Sequence, residues 1–112
     1  MEDKTVVLCG ASRYEEKYYF NPAFKSLPED IRKELQIMCV LYTQEIGGVL
    51  ILEFDENGNL ELRTEAKEND FSYDEIGGTL RIKELRKEKQ ELFEGLEMYY
   101  RVVFLGEHYE ES

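Results

Sequence analysis

Four residue groups in this chain have types and spacings that could do chemistry. Cys9 and Arg13 lie four positions apart, and an arginine beside a thiol lowers its pKa toward the reactive thiolate. Nucleophilic thiol catalysis also needs a base, and the single histidine, His108, sits in an acidic terminal segment far along the chain. A buried structural cysteine in the apolar run VVLC is the simpler reading, and Cys39 in IMCV reads the same way. Asp55-Glu56-Asn57-Gly58-Asn59 opens like a calcium loop, but the loop glycine and the closing glutamate are missing, so no metal site is expected. Neither GxxxxGK[ST] nor GxGxxG occurs, which leaves no phosphate cradle. Carboxylate pairs carry no signal among 25 acidic side chains, and neither a cofactor nor a catalytic residue is assigned.

What remains is aromatic. Arg13, Tyr14, Tyr18, Tyr19 and Phe20 share one short stretch, and Tyr99, Tyr100 and Arg101 form a second. Tyrosine and arginine give large contact area with fixed geometry, so the seven residues Arg13, Tyr14, Tyr18, Tyr19, Tyr99, Tyr100 and Arg101 form a candidate recognition patch. The competing reading is that alternate rings simply pack beneath helices, since strands favour aromatics for packing alone.

Composition bounds the partners. The 112 residues suffice for one domain, with 42% apolar and 35% charged side chains. Fourteen basic and 25 acidic residues leave a formal charge of -11, which opposes approach to nucleic acid or an anionic membrane. No apolar run approaches a membrane span, and Met1-Glu2-Asp3-Lys4 lacks the basic start of an export signal. With two unpaired cysteines, a reducing cytoplasmic location is expected.

The elements that must position these residues follow from periodicity. TVVLCG, residues 5 to 10, and the loosely alternating Tyr14 to Phe20 read as strands joined by Ala11-Ser12-Arg13, with Gly10 free to take a positive φ. Asn21-Pro22 ends the second strand. Ser26-Leu27-Pro28-Glu29 resembles a capping box. Beyond it, Ile31, Leu35, Met38 or Cys39, Tyr42 and Ile46 mark a helical stripe, widened by Ile37, Val40 and Leu41, and Gly47-Gly48 stops the helix. Asn57-Gly58 between Val49 to Phe54 and Leu60 to Ala66 is a hairpin signal. After a second cap-like Ser72-Tyr73-Asp74-Glu75, a long helix carries Ile76, Leu80, Leu85, Leu92, Leu96, Tyr99 and Val103. Thirty helical residues span roughly 45 Å, so the helix either breaks, with Gly77-Gly78 or Gly95 as candidates, or bridges solvent. Residues 99 to 105 are read as helix rather than as a rival final strand, with Gly106 as the cap.

LCGASRYEEKYYFN, LPEDIRKEL, EIGG before a hairpin and RKEKQELFEGLEMYYRVVFLGE together resemble a family of small bacterial proteins catalogued as a domain of unknown function. The resemblance implies a bacterial cytosolic origin and brings no catalytic residue, ligand or partner.

The expected architecture is α+β, with an antiparallel sheet of about four strands from two hairpins and two helices packed on one face. Residues 1-106 form the domain and 107-112 an acidic tail. The leading functional expectation is a non-enzymatic binding or assembly module acting through protein contacts, a homodimer joined through Leu85, Leu92, Leu96, Tyr99 and Val103. The alternatives are a small enzyme or ligand binder with a pocket near Cys9, Arg13 and Tyr14 to Phe20, and an acidic mimic that occupies a nucleic-acid-binding protein.

Overall fold

The computed structural model describes residues 4–107, so His108 and the rest of the expected tail, 108–112, lie outside the described residues. The strands are β1 (Val6–Ser12), β2 (Lys17–Phe20), β3 (Val49–Phe54) and β4 (Leu60–Glu65), and the helices are α1 (Glu29–Ile46), α2 (Glu75–Glu88) and α3 (Gln90–Val103). The sheet is antiparallel throughout in the order β2-β1-β3-β4, which makes this an α+β fold.

Register assigns the faces. Cys9 pairs with Phe20 and Leu52, Ala11 with Tyr18 and Leu50, and Phe54 with Leu60, so these side chains share one face. That face meets Leu35, Met38, Cys39 and Tyr42 of α1, Leu85 of α2, and Phe93, Leu96 and Tyr100 of α3 in a single buried cluster. Leu8 is the extra residue where the β1–β3 register shifts, and it is fully buried. On the opposite face, Tyr19, Gly10, Ile51 and Arg63 form one row across the four strands.

Several expectations need correction. Three helices, not two, complete the fold, because the long helix bends at Lys89 (φ -108°, ψ 20°) rather than at either glycine site. The hydrogen bonds continue through the bend, from the Lys89 amide to the Leu85 carbonyl and from the Phe93 amide to the Lys89 carbonyl. The bend lets Leu85 and Phe93 reach one core, and the Lys89 ammonium sits 3.0 Å from the Glu34 carboxylate. Gly78 serves packing instead: a Cβ there would meet the Tyr42 hydroxyl at 2.8 Å.

The first hairpin turns at residues 13–16, later than expected. Gly10 stays inside β1, and the positive φ falls on Glu16 (53°). Neither Ser26 nor Ser72 caps its helix. Pro28 stands at the start of α1, while Asp74 caps α2 by accepting from the Gly77 amide. Ile37 and Leu41 are exposed, so α1 is not covered all round.

Other expectations hold. The α1 stripe Leu35, Met38, Cys39, Tyr42 and Ile46 is buried, and Gly47 and Gly48 take positive φ at its end. Residues 99 to 103 are helical rather than strand, but the helix ends at Val103, with Phe104 rather than Gly106 as its cap. EIGG occurs twice, at the end of α1 from Glu45 and at the start of α2 from Glu75, and these contexts make it no structural repeat.

Candidate recognition surfaces at the two ends of the sheet

The seven predicted residues fall into two separate groups. Gly48, just before β3, accepts the Arg13 amide at one end of the sheet, while Arg101 reaches the Asn57 turn that follows β3 at the other. The six-residue length of β3 therefore keeps the two clusters apart.

At the first end, most of the polar tips serve the fold. The Arg13 guanidinium pairs with Glu16 at 3.0 Å on the surface. Tyr14 donates its phenol to Asp70 at 2.5 Å and accepts the Lys67 amide at 2.9 Å, with the Lys67 ammonium 4.6 Å from its ring centroid. The hydrogen bond to Asp70 holds the Tyr14 phenol protonated beyond its ordinary value. Tyr19 projects from the sheet face opposite the core, with about half its surface in solvent (54%).

Tyr18 points inward. Its hydroxyl is buried and has no hydrogen-bond partner among the described residues. Burial, followed by the neighbouring Cys9 sulfur, raises its pKa well above the ordinary 10. Cys9 and Cys39 are both fully buried, with their sulfurs 3.9 Å apart. The Cys9 hydrogen bond and then burial push the Cys39 thiol far upward, which is the opposite of activation.

A cleft of about 620 Å³ opens beside this hairpin, bounded by Ala11, Arg13, Tyr18, Gln36, Val40 and Gln44, among others. Cys9 is not on its wall. Arg13 and Tyr18 were legible as candidates; Gln36 and Gln44 were not, because nothing marks two helical glutamines as facing a strand edge.

At the second end, the rings are core. Tyr100 is buried and stacks on Phe54 at 4.2 Å and 9°, and Phe24 and Phe104 extend the stack. The Tyr99 hydroxyl lies 2.6 Å from Ser26 Oγ, which explains why that serine does not cap α1. Arg101 donates to the Asn57 carbonyl at 3.1 Å and to Asn59 Oδ1 at 2.7 Å. Its Cγ would be 2.6 Å from a Cβ on Gly58, whose φ of +83° fits the expected turn. Asp55 closes the turn by accepting from the Asn57 and Asn59 amides, so this segment is a turn held by its own carboxylate.

No group of three or more His, Cys, Asp or Glu among the described residues is placed to hold a metal ion. No helix of the described residues is long and apolar enough to cross a membrane.

With this geometry in view, the family match is decisive: a family of unknown function, DUF6145, matches residues 5–108 of the 112-residue chain. The chain belongs to DUF6145. The match spans both hairpins and all three helices, so the fold described is that of the family's domain in this member. No curated protein and no solved structure matches the chain. Membership in DUF6145 assigns no activity.

Proposed function

We propose that this DUF6145 member is a non-enzymatic cytoplasmic binding and assembly module that works through protein contacts and self-associates as a homodimer. Of the stripe first expected to join the subunits, Leu85 and Leu96 are buried and Leu92 and Tyr99 pack against the core, which leaves Val103 exposed. The supporting surface lies around the helix from it. Met98 and Val102, four apart on α3, are exposed, with Val103 (57%) beside them and Leu105 exposed just beyond the helix end.

Residues 98 to 106 (MYYRVVFLG) contain no acid, in a chain whose net charge is -11. Two copies repel over most of their surface, and an acid-free apolar strip is where that repulsion is weakest. Arg101, the single charge in the segment, is tied down by Asn57 and Asn59.

Sedimentation velocity of the full chain at micromolar concentration tests the reading. The expected result is a dimer that becomes a folded monomer in the Val102→Glu, Leu105→Glu double variant. A wild type that stays monomeric across that range overturns self-association.

A further inference from the structure

The hydrogen-bond parity of the sheet exposes a second, distinct surface. The Asn21 amide donates to the Leu8 carbonyl, which makes Leu8 and Asn21 a hydrogen-bonded pair at the end of the β1–β2 ladder. Antiparallel ladders alternate. Gly10 with Tyr19 and Ser12 with Lys17 are therefore the other hydrogen-bonded pairs, and Tyr18 and Phe20 turn their amides and carbonyls away from β1. The Arg13 amide bonding to the Gly48 carbonyl fixes the same parity from the β3 side. β2 is one of the sheet's two edges, and no other described element hydrogen bonds to the backbone of Tyr18 or Phe20.

Along this edge runs a groove. The cleft of about 620 Å³ continues into a second of about 280 Å³, and the two share Tyr18 and Gln36. One wall is β2, whose Tyr18 and Phe20 side chains face the helix layer; the other is α1, through Arg32, Gln36 and Val40. A chain added beside β2 would thus gain backbone partners and lay alternate side chains against an apolar floor.

Charge selects the kind of chain. Arg13, Lys17, Arg32 and Lys33 line the combined groove against only Glu16 and Glu29. Arg13 and Lys33 neutralise those two acids, which leaves Lys17 and Arg32 with no carboxylate partner among the described residues. A net basic groove on a chain of charge -11 favours acidic segments.

We propose that the β2 edge and the β2–α1 groove bind an extended acidic segment of a partner protein, which pairs with Tyr18 and Phe20 as a fifth strand. This rests on the reading of the chain as a protein-contact module but not on the α3 strip, since the two surfaces share no residue.

The test is amide exchange followed by NMR on the full chain, with an acetylated peptide of alternating valine and glutamate as probe. The Tyr18 and Phe20 amides should slow by roughly tenfold or more at about 1 mM peptide, while Lys17 and Tyr19, already paired with β1, change little. A peptide with lysine in place of glutamate should give no protection, and N-methylation of the probe's edge-facing amides should abolish it. Lys17→Glu with Lys33→Glu should weaken binding about tenfold without unfolding the chain.

Equal protection by the lysine peptide overturns the proposal, as does binding that leaves Tyr18 and Phe20 unprotected, or no effect from either peptide. Protection that rises with protein concentration and no peptide gives the edge to a second copy and also overturns it. Repeating the titration on the Val102→Glu, Leu105→Glu variant separates this outcome from the fate of the dimer.

Discussion

Tyr14 and Asp70, 56 residues apart in sequence, are joined by a hydrogen bond of 2.5 Å between the phenol and the carboxylate. The same phenol oxygen accepts the Lys67 amide, so one side chain holds the β1–β2 turn against the loop between β4 and α2. A half-buried tyrosine read from sequence as a recognition residue also serves as a clasp.

Tyr14→Phe removes both hydrogen bonds and leaves the ring in place. Exchange of the Lys67 amide should accelerate and the melting temperature should fall modestly, with core amides of β3 unchanged below the transition. Unaltered Lys67 exchange would show that the clasp does not form in solution.

Acid should loosen this clasp and, at the other end of the sheet, the Asp55 turn. The Asp70 carboxyl is held below its ordinary 3.8, first by the Ser72 hydroxyl and then by Tyr14. Partial burial pushes Asp55 upward, but the Asn59 amide and side chain and the Asn57 amide outweigh it and hold this carboxyl below 3.8 as well. A depressed folded pKa means that the ionised form is the one the fold binds. The stability these groups contribute is therefore fully present above the unfolded value and is lost as pH falls through the folded one. Denaturant midpoints should fall below about pH 4, and Asp55→Asn with Asp70→Asn should flatten that fall. An equally steep acid limb in the double variant would assign it to other carboxylates.

Glu97 protects the outer edge of the sheet. Its carboxylate accepts the Leu60 amide at 2.7 Å, and Arg86 approaches the Leu60 carbonyl at 3.4 Å. Leu60 is buried, so Glu97→Ala strands a backbone donor and should cost about 1–3 kcal/mol in chemical denaturation. Glu97→Gln keeps an acceptor and should recover part of that loss. An alanine variant as stable as wild type would show that water replaces the carboxylate freely. The contrast with β2 is local: at Leu60 the β4 edge is capped by side chains of α3 and α2, whereas no described element hydrogen bonds to the backbone of Tyr18 or Phe20 on its outer side.

Sequence alone determined the elements whose cause is local. Asn57-Gly58 sets a turn because glycine takes φ of +83° at low cost, and alternation makes Leu60 and Leu62 the inward side chains of β4. The Leu35, Met38, Cys39, Tyr42 and Ile46 stripe requires a helix with one buried face, and Gly47-Gly48 ends it in left-handed geometry.

The tertiary structure decided what depends on partners distant in sequence. Nothing within the run from Lys83 to Glu91 says that the helix bends at Lys89; the bend comes from Leu85 and Phe93 converging on a core supplied by α1 and the sheet. Equally, five tyrosines of one residue type took five different fates. Tyr14 became a clasp, Tyr18 a half-buried ring with its hydroxyl turned inward, Tyr19 a free surface, Tyr99 a partner for Ser26 and Tyr100 a core stack. Periodicity tells a side chain which way to face, whereas its hydrogen-bond partner and its exposure are set by what the rest of the chain brings to that face.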